Sequence, residues 1–171
     1  NEIINIPIVD FSDCLKKYGI PHYLKVDIEG MDILCLKALI PFEQKPDYVS
    51  IESEKVSFDK LLEELTLLKQ LGYIKYKAIQ QRGISRQREP NPAQEGGFLG
   101  YRFEEGSSGL FGEDLPSVWS NFESIVKKYE SIFLKYKLFG DYSRLRKYSM
   151  GVLLLKALQK LLRVPLPGWY D

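Results

Sequence analysis

Tyr23-Leu24-Lys25-Val26-Asp27-Ile28-Glu29-Gly30 is the stretch whose reading decides the fold. Leu24, Val26 and Ile28 alternate with Lys25, Asp27 and Glu29, and this period of two with β-branched residues predicts a strand. Side chains two positions apart share a face, so Asp27 and Glu29 project the same way, roughly 7 Å apart. Gly30 ends the strand, and Ile33, Leu34, Leu36 and Leu39 then recur at the spacing of a short helix over 31–40. A strand that passes through a glycine into a helix, with acids at the junction, is where open α/β sheets hold their ligands. A competing reading gives the acids a local task, capping the helix and complementing its positive N-terminus.

The pattern recurs in Tyr48-Val49-Ser50-Ile51-Glu52, again with terminal acids at Glu52 and Glu54. Strand, short helix, strand predicts a parallel pair joined by a right-handed crossover. Glu52 then stands at the same sheet edge as Asp27 and Glu29, so that three carboxylates face one crevice. These are the candidate catalytic residues. His22, the only histidine, precedes the first strand. At about 3.3 Å per residue it lies well over 10 Å from Glu29, and it reads as a turn or surface residue.

Outward from this unit the elements follow from local signals. Residues 1–9 read as an extended segment ending near Pro7. Asp10 or Ser12 caps a helix from Phe11 to Tyr18, which Gly19 stops. Ser57 caps a longer helix with Phe58, Leu61, Leu62, Leu65, Leu68 and Leu71 on its core face and Gly72 at its end. Tyr73–Ile79 and Phe98–Phe103 read as two strands of an antiparallel hairpin. Between them the long 80–97 loop carries Arg82, Arg86 and Arg88; loops of such length are lids or mobile segments, and the arginines are read as solvated. Residues 104–116 form a glycine-rich loop without the phosphate-cradling GxxxxGK[ST] or GxGxxG patterns. A helix carrying Val118, Phe122, Ile125, Tyr129, Ile132, Phe133 and Tyr136 follows, closed by Gly140. A last helix over 142–163 bears a basic face, read as solvated. The boundary between an α/β portion (1–116) and a helical extension (117–171) falls after Pro116.

A chain of 171 residues, 44% apolar and 27% charged, suits an ordinary globular domain. With 24 basic and 23 acidic residues the net charge of +1 gives no electrostatic case for a nucleic-acid partner, and none is expected. No apolar run approaches the roughly 18 residues that span a bilayer. Cys14 and Cys35 suggest neither a disulfide framework nor a zinc cluster, so a cytoplasmic setting and a role as small buried hydrophobes are expected.

The Tyr23–Gly30 stretch, followed by Asp32 and Leu36, resembles the K-[IV]-D-[IV]-E-G signature of the FkbM family of S-adenosylmethionine-dependent methyltransferases. Pro46–Glu52 is similar to that family's next strand with its terminal acid, and Leu68–Tyr76, with Leu71-Gly72-Tyr73, resembles the run before its penultimate strand. Pro167-Gly168-Trp169-Tyr170-Asp171 resembles a tail seen in one branch. The resemblance covers most of residues 6–111. It implies a Rossmann-like methyltransferase sheet, of which this chain carries the C-terminal half, parallel strands plus an antiparallel hairpin. It further implies methyl transfer from S-adenosylmethionine to a hydroxyl of a small molecule or glycan. Asp27 and Ile28 then lie beside the cofactor, Asp27 or Glu29 serves as general base, and Glu52 orients substrate. No metal is expected at the carboxylates, which no histidine accompanies.

The family's glycine-rich cofactor loop and ribose-binding acid belong before Ile3. The N-terminal half of the fold is therefore expected elsewhere, in the same or another chain, and residues 1–171 alone are expected to bind S-adenosylmethionine poorly. Two other classes compete. A methyltransferase-like domain without catalysis would serve as a binding module. An Asp-x-Glu strand also opens the two-metal site of 3′–5′ exonucleases, but the further HxxxD or YxxxD that such enzymes need does not occur here.

Overall fold

The computed structural model describes residues 8–28, 30–53 and 57–139. They form a mixed α/β unit: helices α1 (Phe11–Tyr18), α2 (Asp32–Ala38), α3 (Phe58–Gln70) and α4 (Phe122–Phe139) around a two-stranded parallel sheet of β1 (Tyr23–Val26) and β2 (Tyr48–Ile51). Glu29, Glu54, the 1–7 segment, the 142–163 helix and the 167–171 tail lie outside the described residues.

Local chemistry sets the helix ends. The Asp10 carboxylate accepts from Ser12 N at 2.7 Å to open α1, and Gly19, at φ +84°, closes it. Ser57 Oγ accepts from Lys60 N at the start of α3. Val118, expected on α4, lies ahead of that helix and is exposed, because Asn121 Oδ1 takes the Ser124 N–H and begins the helix there.

The helices pack in chain order, α1 on α2, α2 on α3 and α3 on α4. The core they share with the sheet contains Val26, Leu36, Leu39, Ile51, Leu61, Leu65, Leu68, Ile125 and Tyr129. α4, beyond the expected boundary at 116, thus packs into the same core as β1 and β2. Of the stripe expected on α3, Leu61, Leu65 and Leu68 are buried, as is Leu71 just beyond the helix; Phe58 is half-buried, Leu62 is exposed, and Leu67 is buried instead.

The antiparallel hairpin expected of 73–79 and 98–103 is not formed. Tyr76 instead exchanges both backbone hydrogen bonds with Ser120, at 2.8 Å each, in an isolated antiparallel bridge. The 98–103 segment is drawn off by a carboxylate: Glu89 accepts the N–H groups of Leu99, Gly100 and Tyr101. An N–H spent on a side chain is lost to a strand ladder. No helix among the described residues is long and apolar enough to cross a membrane.

Candidate functional site at the sheet edges

Register fixes the first site. Tyr23 stands opposite Tyr48 and Val26 opposite Ile51 in the parallel ladder. Asp27 and Glu52 each follow the last registered pair, so both leave the sheet at its C-terminal edge, on strands about 4.8 Å apart. The register thus puts these two acids at one edge of the sheet, while Glu29 lies outside the described residues. Asp27 is exposed and Glu52 half-buried. Lys25, two residues back and so on the same strand face, brings Nζ to 3.5 Å from the Asp27 carboxylate.

Asp27 does not cap α2. The residue at the head of that helix is Met31, which makes no side-chain capping bond. The turn is held by Asp32, whose buried carboxylate accepts Ile28 N and Gly30 N, each at 3.2 Å. Gly30 takes φ +89°, a conformation L side chains avoid, so that the strand can turn sharply into α2. Ile28 is left half exposed beside Asp27.

The opposite end of the sheet carries a cluster that sequence reasoning missed. His22 and Asp47 immediately precede the registered residues Tyr23 and Tyr48, and their side chains meet with Nδ1 at 2.7 Å from the Asp47 carboxylate. The other ring nitrogen, Nε2, lies 3.0 Å from Glu95, which arrives from the 80–97 loop. Glu95 also accepts Glu113 N at 2.8 Å and the Tyr48 hydroxyl. Burial raises the Glu95 carboxyl, but the bonds from Glu113 N, His22 and Tyr48 outweigh it and hold the group below the ordinary carboxylate range. The Tyr48 phenol, bonded to Glu95, is pushed up to about 12. His22 reads correctly as an exposed residue ahead of the strand; its partners come from 25 and 73 residues away, a separation that leaves no local sequence signal.

A cleft of about 130 Å³ runs along β2, lined by Asp47, Tyr48, Ser50, Tyr73, Phe111 and Trp119 among others; Asp27 and Glu52, expected to face one crevice, do not line it. Phe111 stacks on Tyr23 with ring centroids 4.3 Å apart. Lys77 Nζ sits 4.1 Å above the Trp119 ring and donates to the carbonyls of Gly112 and Leu115. Burial in this wall pulls the Lys77 ammonium down, against the charges of Glu113 and Glu95. Among the described residues no group of His, Cys, Asp and Glu side chains is arranged to hold a metal ion. Cys14 and Cys35 are free and half-buried, and burial raises the Cys35 thiol.

Comparison with known proteins brings no relative to these sites: no protein-family model matches the chain, and no curated protein or solved structure matches it.

Proposed function

We propose that the chain is the C-terminal part of a Rossmann-like, S-adenosylmethionine-dependent methyltransferase that methylates a hydroxyl of a small molecule or glycan. The observation that carries this reading is the register Val26↔Ile51, which brings Asp27 and Glu52 out at one sheet edge beside a glycine-containing turn. The residues present fit part of the donor. An exposed carboxylate at Asp27 complements a sulfonium cation, and the half-exposed Ile28 beside it offers an apolar face. S-adenosylmethionine, when bound, supplies an electrophilic methyl group. Asp27 accepts the proton of the acceptor hydroxyl, Glu52 fixes the acceptor by hydrogen bonding, and Asp32 holds the turn that carries Ile28 and Gly30.

The glycine-rich loop that this reading requires belongs upstream of Ile3. The test therefore uses the polypeptide extended by its upstream coding sequence, titrated calorimetrically with S-adenosylmethionine and assayed for methyl transfer to a panel of hydroxyl acceptors. The extended chain is expected to bind the cofactor and residues 1–171 to bind it weakly. Asp27→Asn is expected to lower transfer by roughly 10²-fold or more, the contribution of a general base, with cofactor affinity changed only a few-fold. An extended chain that does not bind the cofactor, or an Asp27→Asn variant that transfers methyl at the original rate, overturns the reading.

A further inference from the structure

Glu95 of the 80–97 loop meets the head of the sheet through the His22 imidazole and the Tyr48 hydroxyl. His22 is fixed in place because its carbonyl accepts Tyr48 N at 3.0 Å, a rung of the β1–β2 ladder. Its ring lies between two carboxylates, Asp47 at 2.7 Å and Glu95 at 3.0 Å. The Glu95 side chain is only 6% exposed. Its carboxylate takes Glu113 N, while Asp114, itself buried, takes the N–H groups of Gln94 and Glu95. Glu95 thus ties the loop to β1 on one side and to the 112–114 turn on the other. It also lies against Gly112, which lines the cleft beside β2: a Cβ at Gly112 would clash with the Glu95 carboxylate.

The protonation state of the ring decides whether both ties hold. An imidazolium donates from both nitrogens; a neutral imidazole has one N–H and one lone pair, so one carboxylate then faces a lone pair and is repelled. The titratable and charged groups around the ring are Asp47, Glu95 and the Tyr48 phenol, with Glu113 and Lys77 behind Glu95. We propose that His22 is a proton-operated latch: charged, it clips Glu95 and the 80–97 loop to the head of the sheet, and loss of its proton breaks that clip and loosens the loop, which then hangs on Tyr48 and the 112–114 turn.

The bonds to Glu95 and then to Asp47 raise the His22 imidazole above its ordinary 6.5. A raised value means that the contribution is complete below 6.5 and is lost as pH rises through the folded-state value. The latch is therefore closed in mildly acidic solution and opens on the alkaline side.

The test is amide hydrogen exchange of Gln94, Glu95 and Glu113, corrected for intrinsic rates, between about pH 5.5 and 8.5, alongside the imidazole NMR titration that reports His22. Protection at these amides is expected to fall roughly threefold or more, the scale of one exposed ionic tie, with a midpoint that coincides with His22 titration above 6.5. The His22→Gln variant is expected to give a pH-independent profile. Protection that does not change with pH in the unaltered protein, or an identical fall in His22→Gln, overturns the proposal. Should His22→Gln fail to fold, the Glu95→Gln variant decides: its His22 midpoint must drop towards 6.5, and an unchanged midpoint overturns the latch.

Discussion

The Asp32 carboxylate accepts the N–H of Gly30 from two residues away and that of Ile28 from four, where β1 gives way to α2. This places Asp27 at the rim rather than in the helix cap. Asp32 is 7% exposed, and truncating it removes the acceptor of two part-buried N–H groups. Asp32→Ala is expected to destabilise the fold by about 1–2 kcal/mol, and Asp32→Asn, whose single carbonyl oxygen keeps one bond, by about half as much. Urea unfolding checks both values. An alanine variant within about 0.5 kcal/mol of the original would show that the turn does not depend on this carboxylate.

Two glycines with positive φ separate backbone strain from steric conflict. Gly30, at φ +89°, has open space where a Cβ would go, whereas Gly112, at φ +58°, faces Glu95 and Tyr48 there. Gly30→Ala is expected to cost about 1 kcal/mol, the left-handed penalty alone. Gly112→Ala adds an overpacking cost of about 1–3 kcal/mol, because Glu95 must move and give up its bonds to His22 and Glu113. Thermal melts of the two variants should fall in that order; the reverse order would refute the packing described around Glu95.

The Tyr48 phenol offers a pH prediction of known sign. Bonded to Glu95 and partly buried, it is raised to about 12. A raised value contributes stability that is complete below about 10, the ordinary tyrosine value, and is lost as pH climbs through the folded-state value. Ultraviolet titration is expected to show Tyr48 ionising late together with Tyr73 and Tyr76, which burial also raises, and the Glu95→Gln variant is expected to bring one of these phenols forward towards about 10. If Glu95→Gln leaves the titration curve unchanged, Tyr48 is not governed by this carboxylate.

Ser117 Oγ is buried without a hydrogen-bond partner among the described residues. An unpartnered buried hydroxyl carries a desolvation cost of about 1–3 kcal/mol. Removing it as Ser117→Ala is therefore expected to be neutral or to raise stability by up to ~1 kcal/mol. Calorimetric melting checks this, and a clear drop in the melting temperature would mean that the hydroxyl is satisfied after all.

Of the fold, the sequence made legible whatever neighbouring residues decide among themselves. Asp10, Gly19 and Ser57 mark helix ends because caps and glycine stops act within a few residues. The alternation in 23–28 and 48–52 marks two strands, and the short helix between them requires those strands to run parallel. From the parallel pairing follows the shared edge of Asp27 and Glu52. Even so, Tyr73–Ile79 and Phe98–Phe103 have the local character of strands and do not pair with each other.

Tertiary structure decided those cases, because a strand needs a partner and the partners were taken. Ser120 claims the backbone of Tyr76, and Glu89 claims the N–H groups of Leu99 to Tyr101. The His22–Asp47–Glu95 cluster was decided the same way, since its ties cross 25 and 73 residues of chain. Hydrogen bonds within a turn are set by spacing alone. Those between distant segments exist only once the whole chain has brought donor and acceptor together.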